Sequence, residues 1–287
     1  MSLLLNRQQP SDQIVIAQLL RKFSVIRCAL LLVSVLTLQP LALQAAQPQT
    51  VLASVNAQRL QSYQLQMQFH LLSLEEADPR VASQMRETVE LFAQQTEQLD
   101  ELSAGLALDA EVETLQAQAR DFQQWIMANE VLNQGWVSAH TLNAMSASGT
   151  KLNQAYTDLL IKLRAQGGVD EPLQEQAILM QQIAAGYVRE TSSLDGGDTV
   201  YDQARDLELP VDQLAAQFRQ QMSLLQQQYA DTAEIQQRLQ QVAISWKYIE
   251  QSLLNYKEKA VPSTVVRSGK KIIDALLKPT GSVVIAS

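Results

Sequence analysis

Apolar residues recur at three- and four-residue intervals through most of the chain, and the interruptions are easy to place. Asp78-Pro79, Ser103-Ala104-Gly105, Gly135, Gly167-Gly168, Gly196-Gly197, Leu209-Pro210, Tyr229-Ala230-Asp231 and Val261-Pro262 punctuate the pattern. They predict roughly eight helical segments. Asp78-Pro79 offers a cap followed by proline in the first turn, and Asp170-Glu171-Pro172 repeats that logic with acidic charge at the positive helix end. Asp231 or Thr232 caps the segment containing Ala233-Glu234-Ile235.

The two halves of the pattern resemble each other. Leu91-Phe92 answers to Gln217-Phe218, Ala110-Glu111-Val112 to Ala233-Glu234-Ile235, Phe122 to Trp246, and Ser148-Gly149-Thr150-Lys151-Leu152 to Ser268-Gly269-Lys270-Lys271-Ile272, at offsets between 120 and 126 residues. This predicts an internal repeat of helical modules of about 110 residues, joined near Gly167-Gly168. The expected organisation is a leader at residues 1–45, a first module at 46–166 and a second at 167–287. The same register sets Arg59 opposite Leu179, so the arginine occurs once per chain.

Arg59 breaks the polarity pattern of its own segment. It shares a helical stripe with Leu52, Val55 and Tyr63, with Gln66 beside it, and no other Lys or Arg occurs between Ala46 and Pro79. A guanidinium on an apolar stripe is costly unless paired, so it requires either a bound anion or a carboxylate. Glu75, Glu76 and the acids of the second helix are the candidate carboxylates within the chain.

Composition reinforces the helical reading. With 10 glycines and 8 prolines in 287 residues, and Gln, Ala and Leu dominant, the expected class is all-α. The beginning of the chain has the order of a Sec-type signal peptide. Arg7, Arg21, Lys22 and Arg27 precede an apolar run from Cys28 to Leu38, then Pro40 and the small-residue stretch Ala42-Leu43-Gln44-Ala45-Ala46, with the cut expected after Ala45. An uncleaved anchor is the alternative. The expected location is therefore the periplasm.

Cleavage changes the chemistry available. It removes Cys28, the one cysteine, and leaves 18 basic against 29 acidic residues, a net charge of −11. A surface this acidic argues against nucleic-acid partners. No second hydrophobic span is evident, so a signal would need a membrane-bound signalling partner to cross a membrane.

Chemical motifs are scarce. There is no Gly-x-Ser-x-Gly, no phosphate-cradling glycine loop and no His-Glu-x-x-His, and Ser148-Gly149-Thr150-Lys151 is too short for a phosphate loop. His70 and His140 are the two histidines, without the Cys-x-x-Cys-His or Glu-x-x-His context of haem or di-iron sites. Asp195-Gly196-Gly197-Asp198 reads as a turn, not a calcium loop. Phe92, Trp125, Trp136, Phe218 and Trp246 read as core, the acids of Leu74–Asp78 as a solvated helix end, and the paired glutamines from Gln220 to Gln241 as one amphipathic face. No catalytic residue, cofactor or metal site is expected, and the chain is expected not to be an enzyme.

The segment Asn56-Ala57-Gln58-Arg59-Leu60-Gln61-Ser62-Tyr63 resembles the first-helix motif of the periplasmic sensor domains of nitrate/nitrite-responsive histidine kinases. The repeated modules, with an aromatic at Phe122 or Trp246, resemble the related N-terminal domain of type IV pili methyl-accepting chemotaxis transducers. The resemblance implies tandem antiparallel (up-down) four-helix-bundle modules, a homodimer, and a small anion of the nitrate or nitrite class gripped by Arg59, with Asn56, Ser62 and Tyr63 as supporting ligand-binding residues. Gln58 stands where the family has Gly-Ser, a substitution that crowds an approaching anion. The implied function is a stand-alone sensor acting through a membrane partner. The alternative is a non-enzymatic envelope scaffold or adaptor, linked to chemotaxis or type IV pili, with a decayed ligand site.

Overall fold

Long helix-forming runs punctuated by proline and glycine fold as the periodicity predicts, and the class is all-α. In the structure, a computed structural model, residues 39–130, 132, 137–195, 209–255 and 260–279 are described. The leader residues before Gln39, Gly135, Trp136, Gly196-Gly197-Asp198 and the end of the chain from Thr280 lie outside them. The helices are α1 (Gln39–Leu74), α2 (Pro79–Glu97), α3 (Leu99–Ser103), α4 (Asp109–Met127), α5 (Ala139–Ala165), α6 (Pro172–Asp195), α7 (Val211–Gln228), α8 (Ala233–Leu254) and α9 (Pro262–Leu276). No strand occurs among the described residues.

The chain divides into two units, Met1–Gln47 and Pro48–Ser287. The described part of the first is helical backbone. Everything below concerns the second.

Local chemistry sets the helix ends. Asp78 accepts the backbone N–H of Arg80 at 2.8 Å ahead of Pro79, and the Ser138 hydroxyl accepts that of Thr141 at 3.1 Å. At the end of α5, Gly167 takes φ +98°. Its N–H reaches Arg164 O at 3.1 Å while that of Gly168 reaches Leu163 O at 2.9 Å, the paired bonds of a Schellman termination that only glycine adopts without strain. Thr232 occupies the cap position of α8, but its side chain makes no capping bond.

Packing follows a simple circuit. α4 lies on α5 and α2, while α6 and α8 each contact both α7 and α9. Neighbouring helices run antiparallel: Lys162 late in α5 pairs with Glu111 early in α4, and Arg238 early in α8 bonds Lys278 O past the end of α9. Gln58 and Gln64 of α1 bond Gln95 O and Thr88 of α2, again in opposite directions. α1 and α6 differ, because they run parallel: Arg59, Met67 and His70 meet Glu175, Gln181 and Ser192 in turn. Gln49 and Val169 exchange two hydrogen bonds, of 3.0 and 2.9 Å, fixing the turn between halves to the start of this pair.

Several contacts occur twice. Phe92 lies edge-on to Phe122 at 6.2 Å, and Phe218 stacks on Trp246 at 4.2 Å. Gln58 donates to Gln95 O at 3.1 Å, and Gln176 donates to Phe218 O at 3.0 Å. A side chain on Gly149 would press on Gln66, and one on Gly269 on Met180 and Ala184. Gln58 and Gln176 thus make similar contacts, though in the Phe92–Phe218 register their acceptors stand three residues apart.

The aromatic pairs sit wholly inside the helix packing, with Phe92, Phe122 and Phe218 fully buried. Truncation of such a ring loses its transfer free energy and leaves a cavity, together about 3–5 kcal/mol. Phe122→Ala and Trp246→Ala are each expected to lower unfolding free energy by about 3–5 kcal/mol in urea denaturation. A loss under about 1 kcal/mol for either would show that its half does not depend on the aromatic contact.

Candidate functional site

α1 carries the candidate site, and burial shapes what its polar residues can do. Every residue from Met67 to Leu72 is buried, as are Asn56, Gln58, Gln61 and Ser62, so the helix presents no continuous polar face. Its polar groups must find partners inside the protein.

Arg59 finds two. Nη1 donates to Glu175 Oε1 at 3.0 Å and Oε2 at 3.3 Å, and to Asn56 Oδ1 at 2.9 Å. The carboxylate comes from the first turn of α6, in the other half of the chain, and not from Glu75, Glu76 or α2 as the sequence suggests. Arg59 and Glu175 side chains keep 22% and 31% exposure, so solvent still reaches the pair. The positive end of α6 adds to the electropositive character of the spot.

The other sequence-predicted residues divide. Asn56 is in the site, with its carbonyl on the guanidinium. Ser62 spends its hydroxyl proton on Arg59 O at 2.8 Å, a bond within the helix. Tyr63, one turn beyond Arg59, lines a cleft of about 290 Å³ with Thr150, Asn153, Thr157 and Gln182. Gln58 does not crowd the guanidinium, because its amide is turned to Gln95 O on α2.

Two participants were missed from the sequence, Glu175 and Tyr156. Tyr156 of α5 is wholly buried; burial pushes its hydroxyl well above the usual range, the Arg59 charge pulls it back and Tyr63 pushes it up. Its hydroxyl and the Asn56 amide nitrogen are enclosed and make no hydrogen bond to protein. Two buried polar groups, one on the residue whose Oδ1 meets Arg59 and one within the influence of its charge, therefore lack a protein partner. Helical periodicity marks neither Glu175 as the partner of Arg59 nor Tyr156 as different from core.

Elsewhere the polar chemistry is structural. Arg238, buried in α8, holds Lys278 O and Pro279 O (3.1 Å for the latter) and Glu234, neutralising the carbonyl end of α9. His140 is exposed and edge-on to half-buried Trp125 at 5.3 Å. Among the described residues no group of three or more His, Cys, Asp or Glu could hold a metal ion, and no helix is long and apolar enough to cross a membrane.

His70 lies farther along the α1–α6 seam, with Nδ1 3.4 Å from Ser192 Oγ and its ring edge-on to Phe69. Burial, then the Arg189 charge, lowers its pKa from 6.5 to about 3. Because the folded value is the lower one, the unfolded chain binds a proton between those limits that the native state refuses. Above pH 6.5 the effect vanishes; acidification then removes stability, about 2 kcal/mol by pH 5. His70→Gln is expected to flatten this part of the stability–pH curve relative to the parent, measured by urea denaturation between pH 7.5 and 4.5; superimposable curves would refute it. No protein-family model, curated protein or solved structure matches the chain.

Proposed function

We propose that the chain is a non-enzymatic helical binding module of the bacterial envelope, an exported scaffold or adaptor that works through a membrane-bound partner. In this reading it consists of two antiparallel four-helix modules packed through their first helices, α1 and α6. One chain thereby holds the two-module arrangement that the sensor resemblance implies for a homodimer. The observation that carries the reading is the Arg59–Glu175 pair: the guanidinium already has a carboxylate of its own chain.

A second reading, the nitrate- or nitrite-class sensor, draws support from the enclosed and unpartnered amide nitrogen of Asn56, the residue whose Oδ1 meets Arg59. The two readings separate in one experiment. Isothermal titration of residues 46–287 with nitrate, nitrite and chloride is expected to give no saturable heat, and Arg59→Ala should behave like the parent. Saturable heat with nitrate that disappears in Arg59→Ala would replace the scaffold by the sensor.

Internal pairing also has a measurable energy. A partly exposed ion pair is worth about 0.5–1 kcal/mol. A double-mutant cycle with Arg59→Ala and Glu175→Ala, read by urea denaturation, is expected to return a coupling of that size. Additive effects within about 0.3 kcal/mol would mean that the two charges do not hold each other in solution.

A further inference from the structure

We propose that a second copy of this chain packs antiparallel on the outer face of α8, a surface that takes no part in the Arg59–Glu175 contact. It stands apart from either reading of Arg59.

α8 carries two stripes of residues at the same alternating spacing of four and three. The inner stripe, Ile235, Leu239, Val242, Trp246, Ile249 and Leu253, is buried. The outer stripe is Gln237, Gln241, Ile244, Tyr248, Gln251 and Asn255, and every one of these residues is exposed. Ile244 and Tyr248 each keep 73% exposure, more than any other large apolar side chain among the described residues. Single exposed apolar residues are ordinary, but these two lie one turn apart on one face. Nor does helical position alone call for them. In the register that sets Phe122 against Trp246, the matching residues of α4 are Glu113, Ala117, Arg120, Gln124 and Met127, all exposed. The same place thus accepts charge in one half and carries isoleucine and tyrosine in the other.

The order of the outer stripe selects a second copy as its occupant. It reads alike in both directions, two amides, two apolar side chains, two amides. Pairing two α8 helices antiparallel about a two-fold axis at the level of Trp246 sets Ile244 against Tyr248, Gln241 against Gln251 and Gln237 against Asn255, each pair occurring twice. A carboxamide is both donor and acceptor, so it answers another carboxamide, as an isologous contact demands. Charge points the same way. The chain has a net charge of −8, yet none of these six residues is charged, so two copies meet there without like-charge repulsion. A strongly charged partner would find no counter-charge on the stripe. Lys247 flanks it and falls level with Ser245 of the second copy, not with its own counterpart. The stripe is about 27 Å long, and one helix face falls short of the roughly 800 Å² per partner of stable interfaces. The dimer is therefore weak, with a dissociation constant on the order of 10 μM.

Sedimentation equilibrium of the full chain, expressed with its own leader so that any processing occurs, tests this between about 1 and 200 μM. The mass of the parent is expected to rise towards that of two chains. Ile244→Glu and Tyr248→Lys, both at exposed positions, should each weaken association at least tenfold. Ile161→Glu, the same kind of change on α5, should leave it as in the parent. The deciding sample is an equimolar mixture of Ile244→Glu and Tyr248→Lys. Antiparallel packing sets the new glutamate of one copy against the new lysine of the other and keeps the second Ile244–Tyr248 contact, so the mixture should recover association to within about threefold of the parent. A parent that stays monomeric at 200 μM overturns the proposal, as do variants that associate like the parent. Equal weakening by Ile161→Glu would place the contact elsewhere, and a mixture no better than its components would rule out the antiparallel arrangement.

Discussion

Burying most of two long helices is the constraint to which the rest of this structure answers. α1 and α6 run parallel, and most of their residues are buried from Val51 to Leu72 and from Gln176 to Thr191, with Ala53 exposed and Arg59, Gln64 and Gln66 half-buried. A helix in that position cannot carry a polar stripe into water, so each polar side chain must be answered from within. The answers are specific: Gln58 takes Gln95 O, Gln176 takes Phe218 O, and Arg59 takes Glu175 and Asn56. The surrounding helices are simpler, each burying one face and exposing the other. Their ring positions follow from covering the central pair.

That division explains what the sequence made legible. Caps and stops are local chemistry, and Asp78 and Gly167 act where a cap or a left-handed residue has to be. Amphipathic helices such as α2 and α7 announce their buried faces through Phe92 and Phe218 at helical spacing, and the aromatic partners Phe122 and Trp246 come with them. The central helices are harder, because glutamine counts as polar in any periodicity and Gln58, Gln61 and Gln68 look like solvent-facing residues. Their amides are buried instead. The partner of Arg59 was out of reach for a related reason. Contact between α1 and α6 depends on how the two halves dock, which helical periodicity does not encode.

Comparing half-buried Arg59 with buried Arg238 separates two uses of a guanidinium. Arg238 meets backbone carbonyls at the end of α9, groups that must be answered in any folded state. Its job is finished when the helix is. Arg59 meets a carboxylate on a long flexible stem that could equally be in water, while its amide and hydroxyl neighbours remain unanswered. Only the second arrangement keeps both of its charged groups within reach of solvent.

Location along the seam decides how its polar groups are answered. At the His70 end the groups are enclosed, and burial together with the Arg189 charge disfavours protonation of the imidazole. The Arg59 end is partly solvated and lies on the opening turn of α6, where helix hydrogen bonds are fewest. Between the two ends Gln181 donates to Met67, and Ser192 lies against His70. The polar seam therefore combines an enclosed end, where α1 and α6 meet through neutral groups, with a partly solvated end that an ion pair closes.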